Sequence, residues 1–184
     1  MNAIETDRLE LRPMSREFLE ASLASDLERA QRLIRAKLPP DWPHHSDILR
    51  MRLGQIERDP DVEPWLLRLM CERASGEAVG HIGFHTGPAP PYLEAYLPGA
   101  IELGFSVFPS CRRRGYAREA AIALMDWAYR RHGVTRFVVS IAPSNEASQR
   151  LARGLGFRKI GRHLDEIDGE EDVLAWERIA SERT

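Results

Sequence analysis

The chain has 184 residues, of which 26 are basic and 28 acidic, giving a formal net charge of −2. That length suits a single domain, and with 43% hydrophobic and 29% charged residues the chain can bury a core, which excludes disorder as its dominant state. No apolar run approaches the roughly 18 residues that cross a bilayer, residues 1–10 are charged rather than signal-like, and a near-neutral balance gives no general attraction to nucleic acid or to an anionic membrane.

In chain order, residues 6–12 (TDRLELR) alternate Leu9 and Leu11 with charged neighbours, which predicts a half-buried strand ended by Pro13. Ser15 is placed to cap a helix whose apolar positions, Phe18 to Ile34, recur at spacings of three and four; Pro39 and Pro40 close it. Residues 41–58 read as a second helix, closed off by Pro60 and Pro64. Two apolar runs, residues 65–71 and 79–84, joined through Ser75-Gly76, predict a hairpin. Residues 87–99, with four prolines, read as a loop without regular structure.

Ile101, Leu103, Phe105 and Val107 then alternate with Glu102, Gly104, Ser106 and Phe108 in a strand stopped by Pro109. Residues 116–131 are Ala-rich and free of Gly and Pro, the strongest helix signal in the chain. A buried strand (136–141), a helix (145–155) ended by Gly156, and two last strands (157–163 and 173–178) follow. The expected fold is α/β of the α+β type, with a mixed sheet and helices on its faces.

The segment richest in chemistry is the turn Pro109-Ser110-Cys111 followed by Arg112-Arg113-Arg114-Gly115-Tyr116-Ala117 at the start of the long helix. A helix start leaves about four amides unpaired and carries partial positive charge. Gly115 lacks a Cβ and lets an anion approach the backbone, and three arginines add charge, so the pattern predicts a diphosphate cradle. A turn glycine beside a solvated arginine cluster is the plainer alternative. Neither a P-loop nor a GxGxxG fingerprint is present.

Strand, tight turn, Arg112-x-x-Gly115-x-Ala117, long helix, strand and Asn145-x-x-Ser148 leading to Gly156-Phe157 together resemble the GNAT N-acetyltransferase superfamily. Within it the chain looks most like the RimJ/RimL-like branch that acetylates ribosomal-protein N-termini. The likeness is strongest over residues 101–161 and extends to the opening TDRLELRP. It implies one domain over residues 1–184, with a mixed, mostly antiparallel sheet of about seven strands, splayed in the middle and flanked by about four helices.

The resemblance also implies acetyl-CoA as co-substrate and an amine acceptor, peptide or small molecule, acetylated by direct attack in a ternary complex. Arg112 matches the start of the family's pyrophosphate loop and Gly115 and Ala117 its small positions, so the amides of Arg113, Arg114, Gly115, Tyr116, Ala117 and Arg118 would hold the diphosphate. Val107 and Phe108 match the strand end that pairs with the pantetheine arm, Asn145 matches an Asn that contacts that arm, and amides near Ser106 and Val107 would support the oxyanion.

A primary ammonium, with a pKa near 10.4, must lose a proton before it attacks. Glu102 matches a glutamate that several superfamily members place beside the thioester, and it is the leading base. As such, Glu102→Gln should lower turnover most at low pH and spare CoA affinity. The competing readings of Glu102 are an exposed strand residue and an ion-pair partner. The superfamily's usual acid, a Tyr, is replaced here by Ala152, and Ser148 matches a Ser proposed in the branch to assist the leaving thiolate; an ordinary helix serine is the alternative.

Cys111 neighbours the arginines but would be remote from the thioester, so a loop thiol is expected rather than a nucleophile. His81 and His85 on one strand would stand about 13 Å apart at roughly 3.3 Å per residue, too far for one metal, and no metal is predicted. His44 and His45 could line the substrate side of the helix pair; an exposed pair is the alternative, and the favoured one. Trp42, Trp65, Tyr92 and Tyr96 flank the expected acceptor pocket, where aromatic rings could embrace an amine; burial in the core is the alternative, favoured for Trp65. With Cys71 and Cys111 as its two cysteines and no CxxC pair, the chain suits reduced thiols and a cytoplasmic location. A CoA-binding sensor without activity and a nucleic-acid binder using Arg112–Arg114 are the rival functions; the second is the weaker in an acidic chain. A homodimer, common in the superfamily, stays open.

Overall fold

A computed structural model describes residues 2–43, 46–165 and 169–178. Among them are eight strands: β1 (Ile4–Glu5), β2 (Leu9–Pro13), β3 (Arg68–Glu72), β4 (Ala78–Phe84), β5 (Ile101–Val107), β6 (Arg136–Ile141), β7 (Arg158–Asp165) and β8 (Gly169–Glu177). The five helices among the described residues are α1 (Arg16–Leu23), α2 (Leu27–Ile34), α3 (Ser46–Arg58), α4 (Tyr116–His132) and α5 (Glu146–Gly154). The strand order is β1-β2-β3-β4-β5-β6-β8-β7. The pairs β1–β2, β2–β3, β3–β4, β6–β8 and β7–β8 are antiparallel, whereas β5 and β6 run parallel. The expected mixed, mostly antiparallel sheet with flanking helices is what the chain forms.

The chain divides into two compact units, residues 1–84 with 105–124 and residues 85–104 with 125–184. In the first, α1, α2 and α3 pack their apolar faces into one core with Phe18, Leu19, Trp42, Leu69 and Phe108. Trp42 is buried, donates its indole N–H to Ser22 Oγ at 3.0 Å and touches the rings of Phe18 and Phe108. Trp65 packs on Phe84 with ring centroids 5.9 Å apart. In the second unit, Leu93, Ala100, Val138, Val173 and Ala175 form a core over which Tyr96 and Leu97 fold.

Several boundaries differ from those read in the sequence. The helix expected over 15–34 is two helices, because Ser25 adopts φ 57° and Asp26 caps a new helix through Arg29 N at 3.0 Å. The second helix is described as Ser46–Arg58 rather than from Asp41: residues 41–43 are not helical, because Pro43 disfavours the helical conformation of Trp42 before it, and positions 44 and 45 lie outside the described residues. At the N-terminus Thr6 closes a tight turn, N–H to Leu9 O at 2.9 Å and Leu9 N–H to Thr6 Oγ1 at 2.8 Å, which separates β1 from β2 and gives the eighth strand. The proline-rich stretch contains a 3-10 turn at Pro91–Leu93. It is fastened within its own unit by Ala89 N–H to Ala100 O, by Tyr96 O–H to Arg162 O, and by Arg136 Nη1 to Pro98 O. No helix of the described residues is long and apolar enough to cross a membrane.

Candidate active site

The local fold of the arginine turn follows from its sequence. Pro109 starts a 3-10 turn at Pro109–Cys111, Arg113 has φ 61° and Gly115 has φ 83°, a conformation that costs glycine little and delivers the chain into α4. Residues 112–115 are exposed. The first amide to donate into the helix is that of Glu119, to Gly115 O at 3.1 Å; among the described residues no protein oxygen accepts from the amides of residues 113–118. A Cβ on Gly115 would stand 3.4 Å from Arg8 Nη2. The expected bare helix start is therefore present, in a 17-residue helix whose partial positive charge faces an open turn.

The side chains around it are partly committed. Arg112 donates from Nε to Val107 O at 3.1 Å, and Arg114 reaches Ser110 O at 3.5 Å. Tyr116 is buried and donates its O–H to Glu72 Oε1, so its side chain points into the protein and only its backbone can serve an anion. Ala117 follows, half-buried, and Arg118 is exposed. Phe108 N–H donates to Val79 O at 2.9 Å. With the period of two along a strand, the N–H of Val107 points to the opposite edge of β5 from that of Phe108. Ser106 lies against β4, where its carbonyl oxygen would be 2.2 Å from a Cβ on Gly80. Cys111 packs its side chain on the first unit's core, and the buried Cys71 thiol is pushed up to about 12 by loss of solvent.

In the second unit the reading of Glu102 as an exposed residue does not hold. Its side chain is only 6% exposed, and its Oε2 lies 3.3 Å from Nδ1 of His85, which is 38% exposed. Burial by itself would raise the Glu102 carboxyl, but hydrogen bonds and charge from His85, with further hydrogen bonds from Ser140 and Tyr92, outweigh it and hold the group down to about 2. The pair is set by backbone geometry: His85 N–H donates to Glu102 O at 2.9 Å, and β5 enters the parallel register through Ile101 to Phe137 and Glu102 to Val138. The imidazole occupies space above Gly104, where a Cβ would lie 2.6 Å from Nε2.

Asn145 is the N-cap of α5, its Oδ1 accepting from Ser148 N at 3.2 Å. Its amide group is exposed, and Ser148 is half-buried one turn into the helix. Ala152, where the superfamily's tyrosine is missing, is buried. Tyr92 joins Glu102, whereas Trp42, Trp65 and Tyr96 have the structural roles given above. His44 and His45 lie outside the described residues. His81 is buried in β4, and among the described residues no group of three or more His, Cys, Asp or Glu side chains could hold a metal ion. Periodicity places His85 only on a strand face with His81 and gives it no partner in the site; its position just past β4, next to a strand that returns through a proline-rich loop, is the signal that pairs it with Glu102.

Residues 8–158 match the family model described as an acetyltransferase (GNAT) domain. The uncharacterized N-acetyltransferase YjdG of Bacillus subtilis is 29% identical over 163 residues, covering 85% of this chain and 90% of that protein. Among solved structures, a Bordetella pertussis protein assigned to the GnaT acetyltransferase family is 28% identical, with TM-score 0.66 and coverage of 95% and 99%. The RimL ribosomal L7/L12 alpha-N-protein acetyltransferase in complex with coenzyme A shares the fold at 19% identity, TM-score 0.63, with coverage of 96% and 98%. A family match over most of its length and a strand–turn–helix that leaves its amides bare mark this chain as a member of the GNAT acetyltransferase family.

Proposed function

We propose that the chain transfers an acetyl group from acetyl-CoA to a primary amine by direct attack in a ternary complex. One observation carries the reading: the amides of residues 113–118, at the N-terminus of α4 and beside a glycine with positive φ, are uncommitted to protein oxygens. Such amides suit a diphosphate, and the missing Cβ of Gly115 lets it approach the backbone. Arg112 and Arg113 supply charge at the rim. Val107, whose N–H points away from β4, is the group that pairs with the pantetheine arm and polarises the thioester carbonyl; Phe108 contributes through its place in the core. Asn145 has an exposed side chain for the same arm.

The base work falls to Glu102 together with His85. A carboxylate held near 2 is a weak proton acceptor in its own right, but it is a strong electrostatic partner. With Nδ1 of His85 3.3 Å from Glu102 Oε2, the imidazole takes the proton from the attacking amine through its other ring nitrogen, Nε2, while Glu102 stabilises the positive charge that develops on the ring. As the nitrogen–carbon bond forms and the carbon–sulfur bond breaks, the Ser148 hydroxyl donates a hydrogen bond to the departing thiolate.

For the acceptor, a protein N-terminal amine is the first class to examine, as in the RimJ/RimL-like branch, because the structural relative with coenzyme A is named for acting on ribosomal L7/L12. Small-molecule amines are the second. The test is calorimetric titration with CoA followed by thiol release from acetyl-CoA across N-terminal peptides, polyamines and aminoglycosides. Micromolar CoA binding with turnover on one class is expected. Binding without turnover on any class would favour a sensor, and failure to bind CoA would overturn the proposal.

A further inference from the structure

Glu119 stands in the first turn of α4, where an acidic side chain commonly folds back onto its own helix's free amides. A carboxylate there would fill the cradle and repel a diphosphate. It does neither, because the opening TDRL segment takes both of its oxygens. Thr6 Oγ1 donates to Glu119 Oε1 at 2.6 Å and Arg8 N–H to the same oxygen at 2.9 Å. Arg8 Nε and Nη2 both lie 2.7 Å from Oε2, two charged donors converging on one carboxylate oxygen. The remaining arm of the guanidinium, Nη1, donates to Arg114 O at 3.0 Å, and the guanidinium carbon Cζ lies over the Tyr116 ring, 5.0 Å from its centre. One arginine therefore grips the helix's acidic residue, the carbonyl just before Gly115 and the first helical residue.

We infer that Arg8, aided by Thr6, is a positioning residue for the cofactor: it holds Glu119 off the amides of residues 113–118, neutralises it, and fixes the turn before Gly115. The TDRL segment thereby has a role beyond that of the turn joining β1 to β2. Arg8 acts through Glu119 and Arg114 rather than on the reacting atoms. The inference rests on the proposed CoA site, and it is specific to the diphosphate, since pantetheine and thioester are handled by β5.

The experiment compares wild type, Arg8→Ala, Arg8→Lys and the double variant Arg8→Ala/Glu119→Gln, each with acetyl-CoA and with S-acetylpantetheine, which has no phosphate. Arg8→Ala should raise KM for acetyl-CoA on the order of tenfold with kcat little changed, the scale of a lost charge-assisted contact. kcat/KM with S-acetylpantetheine should stay within about twofold of wild type. Arg8→Lys, which lacks the guanidinium, should recover little, whereas the double variant should recover most of the acetyl-CoA loss because the misplaced carboxylate is gone. A merely structural role would make both donors fall together and the double variant no better than the single. Equal losses on both donors, or no loss on acetyl-CoA, would overturn the inference while leaving the proposed reaction standing. Wild type that binds no CoA would overturn both.

Discussion

Glu102 shows how environment redefines a residue. From its type and place it is a carboxylate base whose loss should be felt most at low pH. Buried beside His85, Ser140 and Tyr92, it is instead ionised across the whole range in which an enzyme is assayed. Glu102→Gln should therefore lower kcat by about 10²-fold at every pH from roughly 6 to 9, with CoA affinity unchanged. Rate profiles against pH and calorimetric titration check this; a loss confined to the acid limb would return the base role to the carboxylate alone. The resemblance made Glu102 legible in the sequence. His85 was not, because what joins the two is a backbone pairing across 17 positions of chain that includes the proline-rich loop. Gly115 was legible to the opposite degree, since its role follows from a missing Cβ and needs no distant partner.

At the scale of elements, α5 illustrates a motif with two duties. Asn145 caps the helix through Ser148 N, so its removal affects folding even if its amide also meets the cofactor. Asn145→Ala should cost about 1 kcal/mol of stability, read by chemical denaturation, and the polar cap Asn145→Asp should restore most of that. If CoA affinity falls in both variants while only the first is destabilised, the two duties are separate. Helices α4 and α5 and strands β5 and β6 were legible because propensity, period and punctuation agree there. The break between α1 and α2 was missed because the apolar period runs straight through Ser25 and Asp26, and only the capping chemistry of Asp26 marks the end. Pro43 carried the signal that residues 41–43 stay outside α3.

For the molecule as a whole, the order of elements was readable, and the family match over residues 8–158 bears out the fold. The division into two units was not readable, because no linker or change of composition marks it. Acid stability follows from the same ionised groups. Glu102 is held near 2 in the fold against an ordinary value of 4.5, so its contribution is present above about pH 4.5 and lost as pH falls toward 2. Glu119 is shifted in the same direction: burial opposes the shift, and Thr6 and Arg8 outweigh it. The acid transition followed by circular dichroism should therefore lie within that window, and Glu102→Gln should flatten its slope. The chain passes from one unit to the other three times, after Phe84, within β5 between Gly104 and Phe105, and within α4 between Leu124 and Met125. Two of those crossings sever an element in its middle, so no single cut of the gene releases either half intact. A fragment ending at residue 104 would lack the strand end and the helix start on which the anion cradle is built, and only co-expression with the complementary piece could supply them.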